Sequence, residues 1–227
     1  MILLPVKNLA KAKQRLASVL DQSMRTELAH VMLADVVAAV AAFAGDEVAL
    51  ATSDPFAAEL ARRYGFELIR DESNISETDA IEMATRLCEA RGVQSTLVVP
   101  GDVPLIEAAD LRAIYQASPD AGSVLVPSSD KRGTNAVLRR PASLFPLRFG
   151  NDSFMPHLAA AIATDKSCFV LSLPRIALDI DTPEDLRELA QAAGEKPSQV
   201  LARKLGFGDM PRSASHSAEQ DTLAAKS

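Results

Sequence analysis

Residues 95–104 read Ser-Thr-Leu-Val-Val-Pro-Gly-Asp-Val-Pro, a short, mostly apolar run that stops at a loop rich in Pro and Gly. A run of this kind is typical of a strand buried on both faces in the centre of a parallel sheet. Glycine lets the backbone after such a strand come close to a ligand, and the two prolines stiffen the loop. We therefore interpret the segment as a central strand whose loop presents Asp102 at the carboxyl edge of a sheet.

On both sides of this strand, strand-like apolar runs alternate with segments of helical period. The alternation predicts an α/β fold, a single domain with a mostly parallel, Rossmann-like sheet and helices on both faces. The predicted strands are residues 2–6, 47–51, 66–70, 95–99, 122–127, 136–139 and 167–173, with 179–181 in or beside another. The predicted helices are residues 22–44, 55–64, 78–91, 107–117, 151–164 and 183–193.

Length and composition limit the class of protein. The 227 residues, 48% of them hydrophobic, suit one sizeable domain, which we place at residues 1–208. Residues 209–227 are small and polar and predict a disordered tail. A formal net charge of −6 argues against a nucleic-acid partner. Residues 1–6 are too short for a signal peptide, and the apolar helical pattern at 29–44 is too short to cross a bilayer, so we expect a cytoplasmic protein without a membrane partner.

Several familiar functional signatures are missing from the sequence. It contains no G-x-x-x-x-G-K-[ST] loop, no G-x-G-x-x-G and no G-x-S-x-G motif. Cys88 and Cys168 are not in a C-x-x-C pair, and we interpret both as buried thiols. The histidines His30, His157 and His216 have no metal-binding spacing. P-loop, dinucleotide-binding, serine-hydrolase and thiol-metal chemistries are therefore disfavoured.

Carboxylates follow two of the predicted strand ends. Asp179 and Asp181 would point to the same face of an extended segment, where they repel each other unless a cation or donor lies between them. Mg²⁺ prefers oxygen ligands and usually takes one or two carboxylates plus substrate phosphates. Asp102 and Asp179 are therefore candidate Mg²⁺ ligands. The alternatives are that Asp102 bonds its own turn and that Asp181 and Thr182 only cap the following helix.

Two further groups of residues are suited to bind anions. The loop after the first predicted strand, residues 7–15 (KNLAKAKQR), carries four cations that could neutralise a triphosphate, or could form an ordinary solvated basic loop. Residues 133–135 (GTN) and 148–153 (RFGNDS) offer hydroxyls and backbone N–H groups to a phosphate or carboxylate. Taken alone, these two turns are also consistent with ordinary turn and N-cap chemistry.

Taken in order, these segments resemble the 2-phospho-L-lactate guanylyltransferase family of coenzyme F420 biosynthesis, which includes phosphoenolpyruvate and 3-phosphoglycerate guanylyltransferases. The resemblance spans about residues 2–190 and implies a nucleotide-diphospho-sugar-transferase-like fold. It implies transfer of GMP from GTP to a small phosphorylated three-carbon acid, with release of pyrophosphate. It leaves open which of the three acids is the acceptor. The matching segments are residues 6–16, 101–104, 133–136, 148–153 and 179–183.

The resemblance also assigns roles by position. Asp102 and Asp179 would hold Mg²⁺, and Thr134, Gly150 and Ser153 would hold the phospho-acid. The residues implied for catalysis at the triphosphate are Lys7, Lys13 and Arg15, and those implied for nucleotide binding are Lys7, Lys13, Asp79 and Gly101. The resemblance is also compatible with a homodimer and with direct transfer of a labile product to the next enzyme of the pathway.

One stretch departs from the family pattern. Residues 76–81 (SETDAI) stand where the family usually has a Leu-Asn or similar pair opening a helix. Asp79 in place of an amide accepts hydrogen bonds but does not donate them. A carboxylate there is still compatible with guanine, because it can pair with the N1–H and the exocyclic amine.

Two other readings remain. One is a related nucleotidyltransferase acting on a molybdopterin or a sugar phosphate, but such sequences usually have a Gly-rich loop after the first strand and residues 7–16 contain no Gly. The other is a non-catalytic nucleotide-binding domain, which would tolerate loss of the acidic pair, whereas both Asp102 and Asp179 are present.

Overall fold

A seven-stranded sheet forms the centre of the computed structural model, which describes residues 1–71, 76–150 and 152–208. The strand order is β3-β2-β1-β4-β6-β5-β7, and among these strands β6 alone runs antiparallel to the rest. The predicted mostly parallel α/β sheet is confirmed. The strands are β1 Ile2–Val6, β2 Val48–Thr52, β3 Glu67–Arg70, β4 Thr96–Val98, β5 Gly122–Pro127, β6 Thr134–Arg140 and β7 Ser167–Val170.

Helices cover both faces of the sheet because successive side chains of its strands point to opposite sides. In β1, Ile2 and Leu4 pack in one apolar cluster with α1, α2 and α4, whereas Leu3 packs on the other face with α3 and α5. The helices are α1 Gln22–Phe43, α2 Pro55–Tyr64, α3 Glu77–Ala90, α4 Ala108–Ala117, α5 Phe154–Ile162, α6 Pro174–Ala177, α7 Pro183–Gln191 and α8 Pro197–Lys204. Two 3₁₀ turns, Leu9–Lys11 and Gln14–Leu16, follow β1.

Helix α1 begins at Gln22, as predicted, and therefore extends well beyond the apolar pattern at 29–44. The expectation that this pattern is too short to cross a bilayer does not hold for the whole helix, since an 18-residue window within its 22 residues has a mean hydropathy of 1.6 and satisfies that test by length and composition. In the fold, however, α1 packs between the sheet and helices α7 and α8. Its buried Arg25 and Asp35 are hydrogen-bonded to Leu20 and Ser198, which is the arrangement of a core helix.

The largest remaining differences from the predicted elements lie in the last third of the chain. Strand β7 ends at Val170, three residues early, and the short helix α6 follows it. Residues 179–181 have no regular secondary structure. Helix α8 was not predicted at all. The predicted tail at 209–227, and Asn151 within the second turn motif, lie outside the described residues.

Candidate active site

Two adjoining cavities open at the carboxyl edge of the sheet, where doubly wound sheets bind ligands. The first, of about 520 Å³, is lined by the loops after β1 and β4 and by the start of α3, and we call it the β1-side cavity. The second, of about 470 Å³, is lined by the loops after β5 and before α5 and α7, and we call it the β5-side cavity. Glu77, Pro100 and Asp102 line both cavities. Asp102 therefore stands in the wall between two compartments.

Lys13 ties the two carboxylates nearest this wall together. Its Nζ lies 2.6 Å from Asp102 Oδ2 and 3.0 Å from Asp181 Oδ1, and its side chain is only 7% exposed. The backbone of Lys13 is left-handed, with φ of 56°, which is uncommon for a residue with a side chain and occurs often at functional sites. Burial alone would lower the pKa of Lys13, but the charges of Asp102 and Asp181 outweigh it and raise that pKa. Lys13 is therefore a permanent cation at the junction of the cavities.

The segment at 179–181 reaches Asp102 through the backbone. The Ile180 N–H donates to the Asp102 carbonyl at 3.1 Å, and the Ile180 side chain is fully buried. Asp179 and Asp181, on either side of it, both line the β5-side cavity, as their predicted common face requires. The Asn135 amide holds Asp179 by donating to its Oδ1 at 3.0 Å. Two segments far apart in the chain thus place three aspartates around one point.

The carboxylates at this point repel one another. Burial, and then the charge of Asp102, raise the pKa of Asp179 to about 6. A bound cation would relieve that repulsion, so Asp102 and Asp179 fit the predicted Mg²⁺ site. Within residues 1–71, 76–150 and 152–208, no group of three His, Cys, Asp or Glu side chains has the arrangement of a complete metal site. A cation held here would need further oxygens from substrate or water.

Glu77 is a site residue that the sequence patterns do not single out. It looks like an ordinary first-turn helix carboxylate, which is favourable at a helix N-terminus. Its side chain instead faces both cavities. Burial, and then the charge of Asp102, raise its pKa to about 7, although Lys13 and Lys7 oppose the shift. Asp79 is exposed, bonds to Ser76 at the N-terminus of α3 and lines neither cavity, so its nucleotide role stays a prediction.

The predicted cations divide between the cavities. Lys7 lies in the β1-side cavity, with its Nζ 2.5 Å from Asp71 Oδ2. Arg15 lies in the β5-side cavity, 3.3 Å from Asp181 Oδ2. Gly101 lines the β1-side cavity, where a Cβ would come within 3.0 Å of a Leu33 methyl. The tight approach gives a physical reason for glycine at this position.

The three residues predicted to bind the phospho-acid lie together in the β5-side cavity. Gly150 has a φ of 127°, a backbone conformation that favours glycine. Ser153 precedes α5 but does not cap it; its Oγ accepts the Thr134 N–H at 3.1 Å. The Thr134 Oγ1 lies 3.0 Å from Nδ1 of the buried His157. The sequence analysis did not predict His157 as a site residue. The four-residue spacing from Ser153 indicates that the two side chains share one face of the helix, and this spacing could have identified it.

The charge of the β5-side cavity is strongly negative for a site expected to take an anion. Its lining carries the guanidinium groups of Arg15 and Arg132. Against these it carries seven carboxylates, those of Glu77, Asp102, Asp130, Asp152, Asp179, Asp181 and Asp185.

Comparison with known structures defines the class to which this fold belongs. A protein of Desulfovibrio desulfuricans G20 described as a nucleotide-diphospho-sugar transferase superposes with a TM-score of 0.74 at 17% identity, covering 89% of this chain and 93% of that one. A CMP:2-keto-3-deoxy-manno-octonic acid synthetase complexed with CTP superposes with a TM-score of 0.56 at 14% identity, covering 90% and 98%. The predicted nucleotide-diphospho-sugar-transferase-like fold is thereby confirmed.

Comparison of sequences places the chain within that class. The family model described as "Guanylyl transferase CofC like" matches residues 1–222. A phosphoenolpyruvate guanylyltransferase of Rubrobacter xylanophilus is 37% identical over 84% of this chain and 93% of its own length. A 2-phospho-L-lactate guanylyltransferase of Methanothermobacter thermautotrophicus is 31% identical over 92% of each chain. The protein belongs to the family of CofC-like guanylyl transferases.

Proposed function

We propose that this protein transfers GMP from GTP to a small phosphorylated three-carbon acid and releases pyrophosphate, as a step of coenzyme F420 biosynthesis in the cytoplasm. The observation that carries the proposal is the pair of cavities meeting at Asp102. A reaction between two phosphorylated substrates needs two compartments that open onto one point, and the carboxyl edge of this sheet has that arrangement. Family membership gives the reaction class.

The reaction needs no covalent residue of the protein. An oxygen of the acceptor phosphate attacks the α-phosphorus of GTP and forms a new P–O–P bridge. The bond from the α-phosphorus to the oxygen that bridges to the β-phosphate breaks, and the electron pair leaves with pyrophosphate. The protein contributes positioning and charge neutralisation. Lys7 and Lys13 would face the triphosphate in the β1-side cavity, and Thr134, Gly150 and Ser153 would hold the acceptor in the β5-side cavity.

Mg²⁺ would be held by Asp102 and Asp179 and would supply neutralisation of the phosphate charge. The acidic lining of the β5-side cavity supports this part of the proposal, because the guanidinium groups of Arg15 and Arg132 and the ammonium group of Lys13 are fewer than the seven carboxylates, before any anion enters. The ammonium group of Lys13 holds Asp102 and Asp181 close together. Because it is protonated, it does not itself bind the metal ion.

The test is a pyrophosphate-release assay with purified protein. GTP, ATP and CTP are each combined with phosphoenolpyruvate, 2-phospho-L-lactate or 3-phospho-D-glycerate, with Mg²⁺ or with EDTA. We expect release only with GTP, one of the acids and Mg²⁺ together. Release with every nucleotide would refute guanine selectivity, release in EDTA would refute the metal, and no release with any acid would refute the acceptor class.

A further inference from the structure

His157 is a buried, polar side chain to which the proposed reaction assigns no role. It lies on α5, one helical turn after Ser153, and is 1% exposed. Both of its ring nitrogens have partners: Nε2 lies 2.7 Å from the Arg148 backbone nitrogen, and Nδ1 lies 3.0 Å from Thr134 Oγ1. It therefore joins the loop that carries Gly150 to the first residue of β6.

These two contacts fix the position of the ring proton. A backbone N–H only donates, so Nε2 accepts from Arg148 and carries no hydrogen. In a neutral ring the hydrogen is then on Nδ1, which donates it to Thr134 Oγ1. Burial, and then the charge of Arg139, lower the pKa of His157 to about 4, so the ring is neutral near pH 7.

The same reasoning extends to the two hydroxyls beside it. Thr134 Oγ1 accepts from His157, and Ser153 Oγ accepts the Thr134 N–H at 3.1 Å. Each oxygen has thus used an acceptor position and keeps its own hydrogen as a donor. The Ser153 hydroxyl lies 3.5 Å from Thr134 Oγ1, at the limit of a hydrogen bond, so this contact competes only weakly for the Ser153 hydrogen. Both residues line the β5-side cavity.

We infer that His157 is a positioning residue that sets the hydroxyl of Thr134, beside that of Ser153, as a hydrogen-bond donor toward a phosphate or carboxylate in the β5-side cavity. This rests on the proposed function for the identity of the anion, but not for the direction of the hydrogen bonds. Oriented donors bind an anion and reject a neutral analogue, because an unpaired donor left in a buried site is costly.

Two amide substitutions, each matching one ring nitrogen, separate this role from simple packing. His157→Asn retains a donor near the Nδ1 position and loses the Nε2 acceptor. His157→Gln retains an acceptor near the Nε2 position and loses the donor to Thr134. We expect His157→Gln to raise KM for the acceptor acid about tenfold and to leave KM for GTP within about twofold. His157→Asn should restore most of the acceptor affinity. His30→Gln, on α1, serves as the control and should leave acceptor KM unchanged.

A double-mutant cycle with Thr134→Val tests whether the effect runs through the hydroxyl. In the Thr134→Val background, His157→Gln should add no further loss of acceptor affinity. Fully additive losses would overturn the inference. So would equal changes of acceptor KM in both His157 variants, since a packing role makes no distinction between a donor and an acceptor.

Two readouts do not depend on turnover and therefore separate this inference from the proposed function. Nitrogen-15 NMR of the imidazole should show the hydrogen on Nδ1; a ring with its hydrogen on Nε2 would overturn the inference. Binding of inorganic phosphate, measured calorimetrically, should weaken about tenfold in His157→Gln and recover in His157→Asn. If the wild type releases pyrophosphate with none of the acids while both readouts hold, the proposed function fails and the role of His157 stands.

Discussion

The β1-side cavity and the β5-side cavity differ in charge although they share the Asp102 wall. The β1-side cavity is lined by the ammonium groups of Lys7, Lys11 and Lys13 and by two carboxylates, whereas seven carboxylates and two guanidinium groups line the other. The lining of the first cavity has more cations than carboxylates and so favours a triphosphate, although Lys7 is paired with Asp71 and Lys13 with Asp102 and Asp181. An anionic acceptor in the second depends on an added cation and on neutral donors. This difference is consistent with the groups around the proposed acceptor position, which are the hydroxyls of Thr134 and Ser153 and the amide of Asn135 and, in the part of the chain that the structure describes, include no lysine.

The largest effect should follow from removing the charge on the shared wall. We expect Asp102→Asn to lower kcat by about 10³-fold. The substitution removes a carboxylate from the proposed Mg²⁺ site and also removes the charged partner of Lys13. Steady-state pyrophosphate release checks this, with thermal melting to confirm folding. Asp120→Asn, an exposed carboxylate before β5, is the charge-matched control and should change kcat by less than about twofold. Equal losses in both variants would contradict the special position of Asp102.

A second effect concerns the cation at the junction. Lys13→Met leaves Asp102 and Asp181 without their ammonium partner, and we expect it to reduce the free energy of unfolding by about 2 kcal/mol. The value is at the low end for a broken ion pair because the two carboxylates are 31% and 38% exposed. Urea unfolding measures it. Lys11→Ala removes an exposed cation from the same loop and should change the free energy of unfolding little. An equal decrease in Lys11→Ala would mean that any positive charge in the loop stabilises the fold, and would contradict a specific role for Lys13.

The sequence patterns predicted elements with strong local signals and missed elements without them. Both ends of helix α2 were predicted correctly, because Asp54 caps it, Pro55 occupies its first turn and Gly65 ends it in the left-handed conformation. Helix α6 has four residues, too few for a helical period, and α8 lies after the Gly194 break. We predicted Asp179 near Asp102 because carboxyl ends of strands meet at one edge. In the fold residues 179–181 have no regular secondary structure, and the Ile180 N–H joins them to the Asp102 carbonyl instead.

The parts of the site that were missed depend on contacts between distant segments. Glu77 has the local pattern of a helix start, and nothing near it in the chain reveals the charges of Asp102 and Lys13 beside it. Asp181 was weighed only as a cap or as a neighbour of Asp179. In the fold Asp185 caps that helix together with Thr182, which leaves Asp181 to bond Lys13 and Arg15. Such assignments require tertiary geometry.

A smaller effect is expected at the mouth of the β5-side cavity. Arg132 is exposed and bonded to Asp152, also exposed, at 2.6 Å. Because exposed ion pairs are worth little, the guanidinium can turn to an incoming anion at small cost. We expect Arg132→Ala to raise acceptor KM about fivefold with KM for GTP unchanged. Arg62→Ala, at an exposed ion pair on α2, provides the control. A change in GTP affinity instead would reverse the assignment of the cavities.

The smallest effect is a pH dependence from Glu77. Its folded pKa of about 7 lies above the ordinary 4.5, so its contribution to stability is greatest below pH 4.5 and is lost as pH rises through 7. Glu77→Gln removes that loss. The variant should therefore match the wild type near pH 4.5 and exceed it by about 1 kcal/mol above pH 7. Urea unfolding across this range measures the difference, and a variant that is less stable above pH 7 would contradict the burial of a charged Glu77.

The most direct test of the two-cavity account is simultaneous binding. Calorimetric titration of phosphoenolpyruvate and of the other two acids into the Mg²⁺-loaded protein would be performed with and without a saturating GTP analogue that has a methylene bridge between its α- and β-phosphates. The account predicts that one of the acids binds one-to-one in both cases, with equal or higher affinity when the nucleotide is present. Displacement of the nucleotide by that acid would mean that both ligands use one cavity and would contradict the account.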